Sequence, residues 1–199
     1  MSRKKEVKDF VYKKIIMLEK EANSGEGKAR LAQLRKGLGK IPGDEPNLFG
    51  ILLQEMPESF LSNTGEPTKE EWACYIALTL YAKHQQGKNI NDNNMNTFEH
   101  VSLGTAMRLL ALKQGDNNAM KRIQKKYKSL GEALDIKALA YYLRGIISLL
   151  SNKTIKLNYA LLAADLYEIQ FEESKSKVIL RWGQDLYKVK KEEEKENEQ

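Results

Sequence analysis

Apolar residues recur along this chain at intervals of three and four, in runs separated by clusters of Gly, Pro and Asn. That spacing lines one face of an α-helix and neither face of a strand, so it restricts the chain to helices packed against one another. Val7, Phe10, Val11, Ile15 and Leu18 form one stripe, and Leu31, Leu34 and Leu38 a second. Gly37, Gly39, Pro42, Gly43 and Pro46 then break the pattern and deliver the chain to a short apolar helix around Leu48, Phe49, Leu52 and Leu53, which Pro57 closes. After Pro67, Thr68 reads as an N-cap with Glu71 completing a capping box, and the helix so started runs through Trp72, Ile76 and Leu80 to a stop at Gly87. Lys88 to Thr97 is Asn-rich and aperiodic, which predicts a mobile surface loop or a boundary. Further helices follow: Leu103–Met107–Leu110; Met120–Ile123–Tyr127; Leu139 to Leu150 behind a cap at Asp135; Leu162–Leu166–Ile169 behind Asn158; and Val178 to Tyr187. No strand pair, internal repeat or heptad run competes with this reading, so the expected fold class is an all-α helical bundle. Residues 1–187 are expected to form the helical domain, with packed halves over 1–90 and 98–187. Residues 188–199 are expected to form a charged tail that frays from the last helix.

With 199 residues, 41% of them hydrophobic, the chain can bury a core without a metal or a disulfide, and Cys74 alone can build neither. The start of the chain lacks a secretory apolar segment, and no run approaches the roughly 18 to 20 apolar residues that span a bilayer. A soluble, unprocessed, cytoplasmic protein is the expectation. The net charge is +6; residues 188–199 hold four Lys and five Glu, a net of −1, which leaves +7 on the body. Such a body favours phosphate-bearing partners.

Enzymatic constellations are missing. The sequence has no phosphate-loop motif, no HExxH, no nucleophile elbow and no metal-spaced Cys pair, so neither metal nor cofactor is expected. Only His84 and His100 could act as histidine bases, and His84 is expected to decorate a helix end. Cys74 is read as a small core residue, Trp72 and Trp182 as core packing, and Asp165 and Asp185, on separate helices, as caps, ion-pair partners or solvated groups. The positive signal is cationic. Arg30, Arg35, Lys36 and Lys40 surround one Gly-punctuated helix end, and Arg108, Lys113, Lys121, Arg122, Lys125, Lys126 and Lys128 cluster in the middle. Lys121, Lys125 and Lys128 share a helix face that can follow a phosphate backbone, although a merely solvated face has the same composition. Arg144, between Leu143 and Ile146, needs either a carboxylate in the core or a phosphate at the rim.

The segments "ARLAQLRKGLGK", "GEPTKEEWACYIALTLYAKHQQGKN", "VSLGTAMRLLAL", "YYLRGIISLL", "LNYALLAADLYEIQF" and "VILRWGQDLY" resemble, in order and along nearly the full length, the CasB family, the small subunit of the type I-E CRISPR Cascade complex. The resemblance implies a pair of packed helical bundles and no catalytic residues. It also implies a place beside the Cascade backbone and large subunits and a second copy of the chain. There the subunit would brace CRISPR RNA and target DNA, including the displaced single strand, in antiviral defence. Carried over by position, it points to Arg35 and Lys36, where Lys stands for an Arg of the family pattern and keeps charge without bidentate geometry. It points also to Thr105, which replaces a basic residue, with Arg108 one turn on; to Lys121 and Arg122; to Arg144; and to Arg181 and Trp182 for packing or partner contacts. The rival readings are a free-standing helical DNA-binding regulator, for which no clean helix-turn-helix is visible, and a helical scaffold that binds no nucleic acid.

Overall fold

A computed structural model describes residues 2–188 of the chain. The described residues form α1 (Arg3–Glu21), α2 (Gly25–Lys36), the short α3 (Phe49–Leu52), α4 (Lys69–His84), α5 (Leu103–Gln114), α6 (Ala119–Gly131), α7 (Ile136–Asn152), α8 (Tyr159–Glu168) and α9 (Glu172–Tyr187). Single 3-10 turns lie at Pro46–Leu48 and Glu58–Phe60. The all-α expectation holds: the one β-bridge among the described residues pairs Asn96 with Leu157. The tail reading, apart from Lys188, lies outside the described residues.

The helix starts follow local chemistry. Thr68 accepts from the Glu71 amide at 3.0 Å while the Glu71 carboxylate accepts from the Thr68 amide at 2.7 Å, the reciprocal box expected from the sequence. Asp135 and Asn158 cap α7 and α8 by accepting from Ala138 and Leu161. Ser24 and Ser102 do the same for α2 and α5.

Helix α4 is buried around almost its whole circumference, with Trp72 to Ala82 all in the core, because α2, α1, α8 and α7 surround it. Helix α8 lies against both α1 and α4, and α5 packs on α9 and α6. One hydrophobic cluster runs continuously from Val7 to Leu186. Cys74 is fully buried within it, as expected, and burial pushes its thiol pKa far up, which removes the thiolate a nucleophile needs.

Two of the close helix contacts, both on α9, leave no room for a side chain. A Cβ on Gly104 would lie 2.0 Å from the Trp182 carbonyl oxygen, and one on Gly183 would lie 2.5 Å from the Tyr127 hydroxyl. Ser102 donates to Asp185 at 2.5 Å across the same α5–α9 contact. Asp165, nearly buried, accepts from the Trp182 indole N–H at 2.7 Å and from Arg181 at 2.9 Å. Burial, the largest influence, raises the Asp165 pKa even though both donors oppose it. Both tryptophans are therefore core residues and both aspartates are satisfied inside the protein.

The Asn-rich stretch departs from its expectation as a mobile surface loop. Met95 and Asn96 are buried. The Gln85 side chain donates to the Lys88 and Asn93 carbonyls and accepts from the Met95 amide. Leu157 donates to Met95, receives the Thr97 amide, and so pins the loop to the approach to α8. These bonds take up backbone groups of the loop, while Asn89, Asn91, Asp92 and Asn93 stay exposed, so the surface position holds and the tie to the core is what the composition did not show.

His84 also differs. It stands at the end of α4, as expected, but fully buried, with Nδ1 2.8 Å from the Tyr159 hydroxyl and Nε2 without a side-chain partner among the described residues. Desolvation, aided by the nearby Lys88 charge, lowers its pKa to about 3.

Candidate nucleic-acid interface

The turn that follows α2 is built by the sequence around it. The Tyr75 hydroxyl, buried on α4, donates to the Gly37 carbonyl at 2.6 Å. A side chain at Gly37 would meet Leu48 at 2.5 Å and that hydroxyl at 2.7 Å. Gly39 adopts φ +84°, a left-handed conformation that disfavours any side chain. Clamped in this way, the turn lies beside α7, where Arg144 Nη1 comes within 3.5 Å of the position a Cβ on Gly39 would take. Arg144 stands on the exposed face of α7 and not inside its apolar stripe of Leu139, Leu143, Ile146, Ile147 and Leu150. Of the two partners the sequence allowed it, the core carboxylate is excluded.

The nine expected contact residues divide by how their charge is used. Arg30 is held by Glu26 at 2.6 Å and Glu21 at 3.1 Å, and the Glu26 hydrogen bond, the largest influence, raises its pKa. Lys40 is paired with Glu45. Arg122 grips both oxygens of Asp116 and also Gln114. Arg108 donates from Nη1 to the Lys188 carbonyl at 2.8 Å, closing the end of α9. Five have side chains with neither an ion pair nor a hydrogen bond among the described residues: Arg35, Lys36, Arg144, Lys121 and Lys125. The first three gather around the Gly37–Lys40 turn, whereas Lys121 and Lys125 stand exposed on α6. Lys128, on the same face of α6, is paired with Glu132 at 3.4 Å.

Arg35 is half-buried, and desolvation lowers its pKa from the usual guanidinium value. It lines a cleft of about 410 Å³ between α2 and the Asn-rich loop, together with Lys28, Lys88, Gln85 and Asn89, and no carboxylate among the described residues borders it. A guanidinium partly withdrawn from water with no counter-charge favours an incoming anion.

A second groove, of about 170 Å³, runs on the other side of the turn between α4 and α7. Leu38, Trp72 and Ile76 form its floor, and Lys40, Lys137, Tyr141 and Arg144 stand at its edges. Sequence reasoning missed Lys137 and Tyr141. Their spacing with Arg144, one turn and two turns apart on one helix, was the available signal. Among the described residues no cluster of His, Cys, Asp or Glu could hold a metal ion, and no helix is long and apolar enough to cross a membrane.

The sequence profile of the family described as CRISPR-associated protein Cse2 matches residues 30–187. The chain belongs to the Cse2 family. Among solved structures, CasB from Thermobifida fusca is similar, with a TM-score of 0.74 and 29% identity over 92% of this chain and 98% of its own. A Cse2-family CRISPR-associated protein from Thermus thermophilus shares the fold at TM-score 0.64 and 21% identity, covering 94% of this chain and 99% of its own. None of the curated proteins compared with the chain matches it. The family assignment agrees with the resemblance read from the six sequence segments, and the family match begins at Arg30, after α1.

Proposed function

We propose that the chain is the non-catalytic small subunit of a type I-E Cascade surveillance complex. In it the chain braces the guide RNA and target DNA path and steadies the displaced strand in antiviral defence in the cytoplasm. Its protein neighbours are the backbone and large subunits and a second copy of itself. The observation that supports this most is that Arg35, Lys36 and Arg144, from helices far apart in sequence, stand around one clamped turn without a carboxylate partner among the described residues. Cations held in this way can neutralise successive phosphates, and because guide pairing reads sequence, backbone contacts suffice for the protein's share. Lys121 and Lys125 on α6 extend the cationic surface.

The test is charge reversal in two sets, Arg35→Glu with Lys36→Glu and Arg144→Glu, and Lys121→Glu with Lys125→Glu. Binding to single-stranded DNA is measured across salt concentrations, alone and within the co-expressed complex. Each lost phosphate contact is expected to flatten the salt dependence on single-stranded DNA by about 0.7 units of slope while the helical content stays unchanged. Unaltered affinity and slope in both sets would refute the nucleic-acid role. Purification of a tagged chain without larger proteins or a short RNA, from cells expressing the complex genes, would refute the Cascade placement.

A further inference from the structure

One exposed aromatic stripe is left unexplained by phosphate contacts. Tyr141 is 73% exposed on α7, and its ring is braced edge-on by Tyr142, with centroids 5.7 Å apart. Lys137 precedes it by one turn and Arg144 follows it by nearly another, about 6 Å and 4.5 Å along the axis at the rise of an α-helix. Neither cation makes an ion pair among the described residues, and no carboxylate lines the groove beside them. The two acids of the facing turn are occupied: Asp44 accepts from the Ile41 amide at 3.0 Å and Glu45 binds Lys40.

An aromatic ring held in water between two cations leaves apolar surface uncovered, and burial against a flat partner would recover it. A nucleotide in a single strand supplies what this stripe lacks: an unpaired base for the ring and a phosphate on either side for Lys137 and Arg144. A duplex cannot, because its bases already stack on one another. We infer that Tyr141 is a base-stacking platform, and that the Lys137–Tyr141–Arg144 stripe selects unpaired strand over duplex. This rests on the nucleic-acid reading given above and deepens it: backbone contacts hold any strand, while the ring distinguishes an open one.

The test uses the full chain and a fluorescent oligothymidylate of about 12 nucleotides, an abasic analogue of equal length, and the matching duplex. Loss of the ring in Tyr141→Leu is expected to weaken oligothymidylate binding about 5- to 150-fold, the range of one stacked base, with the salt slope unchanged. Tyr141→Phe keeps the ring and should bind like the unaltered protein. Arg144→Gln, in contrast, should flatten the slope by about 0.7. The unaltered protein should prefer oligothymidylate to the abasic strand, and Tyr141→Leu should lose that preference. Because Tyr141 is exposed, thermal melts of the variants should coincide. If Tyr141→Leu binds oligothymidylate as before, or still discriminates against the abasic strand, the stacking site is wrong although the backbone reading stands, and the groove belongs to another ligand such as an acidic protein segment. If the unaltered protein shows no salt-dependent binding to any strand, the nucleic-acid reading falls and the stacking site with it.

Discussion

The buried His84 makes a quantitative prediction about acid stability. In the unfolded chain its imidazole titrates near 6.5, while in the fold desolvation holds it at about 3. Between those values the unfolded state binds the extra proton, so stability is full above about pH 6.5 and is lost as pH falls toward 3. At about 1.4 kcal/mol per pH unit the whole interval is worth about 5 kcal/mol, of which about 3 kcal/mol falls between pH 7 and pH 4. Against a total stability of about 5–15 kcal/mol this is a large share. The groups facing the ring, Tyr159 at 2.8 Å and Tyr81 beyond it, do not titrate in this range. His84→Gln keeps hydrogen-bonding capacity toward Tyr159 and removes the titration. Urea unfolding followed by the fluorescence of the core residues Trp72 and Trp182 should therefore show the unaltered protein losing about 3 kcal/mol more than His84→Gln from pH 7 to about pH 4. Carboxylate protonation is common to both chains and cancels in that difference. Parallel stability curves, or a His84 imidazole, assigned by the loss of its NMR signal in His84→Gln, that titrates near pH 6 in the folded protein, would refute the reasoning.

Further outcomes follow from particular contacts. Gly104→Ala drives a Cβ into the Trp182 carbonyl and should cost about 3 kcal/mol, read as a lower Tm. Lys14 is 2% exposed with Nζ unpartnered, and burial lowers its pKa; Lys14→Met should stabilise the protein by about 1–3 kcal/mol at neutral pH, with a gain that shrinks as pH rises toward 10.5. Asp165→Ala strands the buried Trp182 indole N–H while Arg181 Nη2 keeps Glu168, and should cost about 1–3 kcal/mol in chemical denaturation. Residues 1–187 are proposed as one domain, so heating should give a single transition with matching calorimetric and van't Hoff enthalpies.

What the sequence disclosed was the chemistry that acts within a few residues. Thr68, Asp135 and Asn158 bond amides three positions on, so their caps could be read from spacing alone. The bonds of Arg30 to Glu26 and of Arg122 to Asp116 are equally local, and weighing acids within two turns would have marked those cations as engaged. What stayed hidden depends on partners far along the chain. His84 is buried by Tyr159, and Met95 is fixed by Gln85 and Leu157; nothing in the neighbouring sequence announces either. Arg144 looked buried because its neighbours are apolar, yet helical geometry turns it to the side opposite Ile146 and onto the exposed face.

The segments by which the chain resembles its family serve, in the fold, mainly to bring helices together. Gly104 of "SLGTA" and Trp182 of "RWGQ" meet backbone to backbone, and Tyr75 of "EEWACYIAL" holds Gly37 of "QLRKG". Recognition from sequence therefore reports the scaffold first. The proposed binding chemistry depends on it at one place: the Tyr75 bond and the left-handed Gly39 fix the turn that follows Arg35 and Lys36 and that Arg144 approaches from α7. Exposed cations on free helices would spend much of any phosphate contact on ordering long side chains and backbone. Here the backbone part of that cost is already met in folding, because the turn is clamped from inside the core. In the proposed function a core tyrosine thus shapes the interface without touching a ligand.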